Sequence, residues 1–172
     1  MNSSLSILTA SALLALLSPS IATAAVTIKI VADNDFAVYA GNATSISRAI
    51  YQNGVVWNNQ LLSASSSTFE LEPGETTYYL LAMGGGGQEN ISGKINGVNI
   101  VDVFQADSSA VQVSVPIQSS LSSYTLSTVE DGSYTPTLES VQVALAAATF
   151  GAPVVVTGQT VINANPEAET TG

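Results

Sequence analysis

The chain has 172 residues and a formal net charge of −10, with Lys29, Arg48 and Lys94 as its only Lys or Arg against thirteen carboxylates. That balance excludes nucleic acid and an anionic membrane surface as partners, because both require clustered positive charge. Cysteine and histidine are absent, which removes disulfides, Ser-His-Asp and Cys-His catalysis, imidazole zinc sites and the usual haem ligands.

Residues 5–17 form an apolar run, and Ala22-Thr23-Ala24 follows as a small-residue cleavage site. This is the pattern of a secretory leader over residues 1–24, although its first residues carry no Lys or Arg. The apolar run falls short of the ~20 residues needed to span a bilayer, so the mature chain is expected to lack a membrane span. Residues 25–162 then make one domain and residues 163–172 a polar flexible tail. Charged residues are only 9% of the chain where about 25% is ordinary. Polarity comes from Ser, Thr, Asn and Gln, as in many exported and adhesive proteins.

Val26, Ile28 and Ile30 alternate with Thr27 and Lys29, predicting a half-buried first strand. Asp33-Asn34-Asp35 reads as a polar turn before a second strand at Phe36-Ala37-Val38-Tyr39. Asn53-Gly54 suits a type I′ hairpin joining residues 46–52 to 55–61. That register turns Trp57 and Arg48 inward, so Arg48 needs a carboxylate partner. Asp33 or Asp35 is the expected one. Pro73-Gly74 predicts a type II turn. Residues 76–83, apolar on both faces, predict a strand covered on each side. A second hairpin pivots on Asn96-Gly97, pairing Ile95 with Val98 and Gly93 with Ile100, all facing inward. There Gly93 leaves room for Ile100, while Lys94 and Asn99 face out. Asp131-Gly132 is a third tight turn. The spacing of Leu138, Val141, Leu145 and Ala148 predicts a helix over 137–149, with Thr135 as N-cap and Pro136 first inside. Gln142 interrupts its apolar stripe. The fold class expected is mainly β, an antiparallel sandwich or jelly-roll with one C-terminal helix.

Few residues are arranged for chemistry. Ser92 and Lys94 share an exposed strand face, and the carboxylate pairs Asp33/Asp35 and Glu70/Glu72 alternate as solubilising residues do. No catalytic residue is assigned and the chain is not expected to be an enzyme. Gly84, Gly85, Gly86 and Gly87 are not followed by Gly-Lys-Ser/Thr or by a helix, so they match neither phosphate-binding fingerprint. With Gln88, Glu89 and Asn90 they remain the segment most suited to a partner. Trp57 and Asn58 supply a ring and an amide of the kind that holds carbohydrate. Calcium is the one cofactor the pattern admits: Asp33 and Asp35 offer hard oxygen ligands, as do Glu89 and Asp131. The EF-hand spacing fails, since Val38 stands where glycine is required.

The segments DNDFAVYAG (33–41), NGVVWNNQ (53–60), MGGGGQENISGKINGVNI (83–100) and SVQVALAAATFGAP (140–153) resemble a group of secreted β-rich proteins of cyanobacteria and other environmental bacteria. Some of those carry cell-surface sorting tails. The resemblance spans most of the mature chain and brings no activity with it. It implies a location at the cell surface. It also implies a further aromatic strand beyond this C-terminus, so that here the sheet is short or is completed by a neighbour. The expected function is that of an exported, non-enzymatic structural protein of a fibre, coat or matrix, partnered by itself or by other surface proteins. The alternative is a sandwich module that binds carbohydrate or calcium.

Overall fold

The computed structural model describes residues 6–7, 12–13, 25–55, 59, 65–84, 90–100, 102–103, 113–114 and 120–151. The strands are β1 (Ser6–Ile7), β2 (Ala12–Leu13), β3 (Val26–Asp33), β4 (Asp35–Asn42), β5 (Ser45–Gln52), β6 (Ser65–Phe69), β7 (Thr77–Met83), β8 (Asn90–Ile95), β9 (Val98–Asn99), β10 (Val113–Ser114) and β11 (Phe150–Gly151). Two helices, α1 (Leu126–Glu130) and α2 (Leu138–Ala147), lie between β10 and β11.

Alternation decides the first sheet. Val26, Ile28 and Ile30 are buried and Thr27 and Lys29 exposed, so β3 has one face on the core. It is flanked by β6 and β8 in the antiparallel order β6-β3-β8-β9. The second sheet runs β1-β7-β4-β5, and β2 also pairs with β7. Its central strands are buried along nearly their whole length: Phe36, Ala37, Val38, Tyr39 and Ala40 in β4, and Tyr78, Tyr79, Leu80, Leu81 and Met83 in β7. Strands apolar on both faces need cover on both. One cover is the first sheet, where the Phe69 and Tyr78 rings lie 5.4 Å apart. The other is the segment carrying α1 and α2, whose Leu121, Val129, Tyr134, Val141 and Leu145 belong to the same core. The protein is therefore mainly β, two antiparallel sheets with few helices, as its patterning predicts.

Three turns follow their chemistry. Asn96 and Gly97 take φ of 52° and 79°, the doubly positive geometry of type I′, and register Ile95 with Val98 and Lys94 with Asn99. Glu75 N–H donates to Glu72 C=O at 2.9 Å across Pro73-Gly74, closing the type II turn with Gly74 at φ 93°. The hairpin into β5 comes earlier than expected. Asn42 Oδ1 accepts from Thr44 N at 3.0 Å and Ser45 N at 3.1 Å, an Asx turn that pairs β5 with β4.

The expected Asn53-Gly54 hairpin is corrected accordingly. Gly54 has no positive φ, and Asn53, only 1% exposed, donates its N–H to Phe36 C=O at 2.8 Å. The residues that would form the returning strand, 56–58 and 60–61, lie outside the described ones. Asp131-Gly132 closes no hairpin either. Gly132 N–H reaches Val129 C=O at 3.1 Å and Ser133 N–H reaches Thr128 C=O at 2.9 Å, the Schellman pattern that ends α1. The longer helix begins at Leu138, one residue after the predicted start, and its N-cap is Thr137 in place of Thr135, accepting from Ser140 N–H at 3.2 Å. The interruption at Gln142 has a use: its Oε1 accepts from Ile46 N–H at 2.7 Å and ties α2 to the edge strand β5.

Gly93 is explained differently from the expectation. At φ 140°, a Cβ there would lie 2.0 Å from Lys29 O and 2.9 Å from Ile30 Cα. The glycine admits the backbone of β3, not the side chain of Ile100. Val98 is 48% exposed because β9 ends its sheet, so the inward placement expected for it is also corrected. No helix among the described residues is long and apolar enough to cross a membrane.

Candidate functional site

β3 belongs to one sheet and β4 to the other, and a single residue, Asn34, joins them. At residues 34–35 the expected polar turn is thus a corner inside the protein: Asn34 is 4% exposed and Asp35 fully buried. The corner gathers the two ends of the glycine segment. Asn90, opening β8, is registered opposite Asp33. Met83, closing β7, is registered opposite Asp35, and its C=O accepts from Asn34 N–H at 2.9 Å. Gly84 is buried and its C=O accepts from the Tyr124 hydroxyl. Gly85, Gly86, Gly87, Gln88 and Glu89 lie outside the described residues, as do Trp57 and Asn58. Segments that the sequence keeps about fifty residues apart therefore meet at one place.

Asp35 is the chemically unusual member. Both its carboxylate oxygens are buried without a hydrogen-bond partner. Burial pushes its pKa up to about 7 from the ordinary 3.8, and the negative charge of Asp131 adds to the effect. A carboxylate that is both desolvated and faced by a like charge holds its proton or takes a cation. Asp131 stands at the C-terminal cap of α1, exposed, with Oδ1 accepting Ser133 N–H at 2.9 Å. The loops around them are in contact, since a Cβ on Gly54 would lie 3.7 Å from Gly132 O. Gln52 Nε2 reaches Tyr134 C=O at 3.5 Å. No group of three or more acidic, His or Cys residues is placed to hold a metal among the described residues.

Arg48 makes the expected ion pair with unexpected partners. Its Nε and Nη2 bind the two carboxylate oxygens of Glu75 at 3.0 and 2.9 Å, and Nη2 also donates to Glu70 C=O at 2.8 Å. Glu72 completes the group at 3.3 Å. Asp35 takes no part in these contacts, and the Asp33 side chain lies outside the described ones. The correction follows from register: β5 pairs with β4 through the Asn42 turn, which sets Arg48 opposite Ala40, at the far end of β4 from Asp35. The Glu75 side chain is 6% exposed. Burial pushes its carboxyl up, but hydrogen bonds from Arg48, Glu72 N–H and the Ser47 hydroxyl outweigh this and hold it below the usual range. The guanidinium is correspondingly raised, chiefly by its hydrogen bond to Glu75. This bidentate pair pins the Pro73-Gly74 turn to β5.

Glu75 and Tyr124 carry no expectation from the sequence, and Asn53 carries only that of a hairpin turn. Glu75 had a signal, as the acid that closes a proline-glycine turn just ahead of a buried strand. Asn53 and Tyr124 had none, because each is placed by a backbone carbonyl distant in sequence.

The fold and this corner define a mainly β protein of two antiparallel sheets that carries a buried acidic corner and one pinned turn. Comparisons with protein families, with curated proteins and with solved structures find no match to this chain.

Proposed function

We propose that this is an exported, non-enzymatic structural protein of the cell surface or extracellular matrix, which associates with further copies of itself by strand pairing. The outer edge of β7 carries this reading. Met83 C=O faces the β4 side, and backbone groups alternate along a strand. The N–H and C=O groups of Tyr78, Leu80 and Ala82 consequently turn toward the other edge. Among the described residues that edge is met by Ser6–Ile7 and Ala12–Leu13 alone. Both segments lie within the leader expected to end at Ala24. Its removal leaves an uncharged, apolar strand whose edge has no other partner among the described residues, the situation in which a sheet accepts a strand from another chain. The incoming strand has to be apolar on both faces, as β7 is. A second copy's β7 meets that need, and the two sheets then run on into one. The absence of histidine and cysteine supports a role without catalysis.

The test is to express the full chain in an exporting host and to weigh the exported form by mass spectrometry. Its assembly is then followed by size-exclusion chromatography and negative-stain microscopy. Cleavage near Ala24 and concentration-dependent oligomers or filaments are expected. A Lys at Ala82, on the open edge, should leave a folded monomer. An exported form that stays monomeric at every concentration sinks the assembly reading, and a retained leader sinks the export reading.

A further inference from the structure

We propose that Asp35 and Asp131 together hold a hard divalent cation, of the calcium class, at the corner where β3 passes into β4. Two observations carry this independently of any assembly. The first is that both oxygens of a completely buried carboxylate have no donor, a state that native proteins reserve for an ion, a water or a functional role. The second is that another carboxylate, Asp131, sends its negative charge onto Asp35 from a loop whose Gly132 C=O lies against Gly54, and no Lys or Arg of the chain answers either. Arg48 is committed to Glu75 and Glu72. Lys29 and Lys94 stand opposite each other across β3 and β8, in the other sheet.

Protonation alone would neutralise Asp35, yet it leaves a hydroxyl that needs an acceptor of its own. A hard cation satisfies both oxygens at once. Asp131 is held in place by Ser133, whose N–H donates to its Oδ1, and its exposure gives the ion a route from solvent. Calcium takes six to eight oxygens and accepts water and main-chain carbonyls among them. With two carboxylates and no third acid gathered among the described residues, the site belongs to the weak extracellular range, with Kd about 10⁻⁴–10⁻³ M.

The experiment uses the full chain, stripped with chelator and then melted with and without about 5 mM calcium, a concentration above that range. A rise in Tm of about 4 °C is expected from ligand linkage for a domain this size. Asp35→Asn should abolish the rise and melt no lower than the wild type in chelator. Asp131→Asn, a change at an exposed position, should diminish it. Terbium provides a second readout: tyrosine-sensitised emission from the wild type, displaced by calcium and weakened in Asp131→Asn, supports the site even if Asp35→Asn fails to fold. No shift with calcium, magnesium or manganese and no displaceable terbium emission overturns the proposal. An undiminished calcium shift in Asp35→Asn does so equally.

Discussion

Arg48 and Asp35 show how differently a charge behaves with and without its partner. Arg48 reaches Glu75 through two parallel hydrogen bonds, and Glu75 is nearly inaccessible. Removing the guanidinium strands a desolvated carboxylate, so Arg48→Ala should cost about 1–2 kcal/mol, after allowing for the partial exposure of the arginine. Denaturant unfolding measures it, and a double-mutant cycle with Glu75→Gln should recover part of the loss. Because the folded-state pKa of Glu75 is depressed, its contribution is present above the ordinary carboxylate pKa of 4.5 and is lost as pH falls through the lower folded value. Asp35 has the opposite sign. Its folded-state pKa lies near 7 and its ordinary value at 3.8, so in the unfolded chain it loses its proton first. Metal-free protein should therefore lose stability steadily between about pH 4 and pH 7 and level off above, by an amount on the order of a few kcal/mol. Asp35→Asn should remove that slope in chelator, as read by Tm across the pH series.

At the scale of elements, close approach and turn geometry decide more than side-chain bulk. Gly93→Ala should destabilise by about 3 kcal/mol or more, since the methyl group meets β3 backbone that cannot move without breaking the ladder. Gly97→Ala, at φ 79° with open space around it, should cost only about 1 kcal/mol. Comparing the two by chemical denaturation separates steric from conformational cost. The Asn96-Gly97 turn was legible because everything it needs is local. Asn53-Gly54 presents the same dipeptide, and tertiary context overrides it: Phe36 C=O captures the Asn53 N–H and no I′ geometry forms. Gln142 was legible only as a flaw in a helical stripe. Its role at Ile46 N–H depends on a strand almost a hundred residues away.

For the whole molecule, the unusual feature is a central-type strand whose second edge, among the described residues, is met only by the short segments Ser6–Ile7 and Ala12–Leu13. β7 has the composition of an interior strand, and its purely local pattern predicts burial on both faces, as found. What the pattern leaves open is which edge is occupied, and by what. If copies join through that edge, each brings a charge of −10, and their mutual repulsion reaches about 10 Å at 0.1 M salt and about 30 Å at 0.01 M. Assembly of the exported form should accordingly strengthen as salt is raised from about 0.01 to 0.15 M, which light scattering across a salt series measures. A salt-independent association would place the contact elsewhere than between like-charged copies.

By itself the sequence determined the class of fold, the alternating first strand, the doubly buried β7, two of the turns and most of α2. All of these rest on periodicity or on the conformational demands of neighbouring residues. The chemistry excluded by missing cysteine and histidine was equally plain. Only the tertiary structure decided that Asn34-Asp35 is an interior corner, that the charge of Asp131 reaches Asp35, that Arg48 belongs to Glu75, and that Gly93 admits a backbone. Each of these depends on which strand lies beside which, and strand neighbours are chosen by the packing of the whole core, where residues far apart in the chain set one another's register.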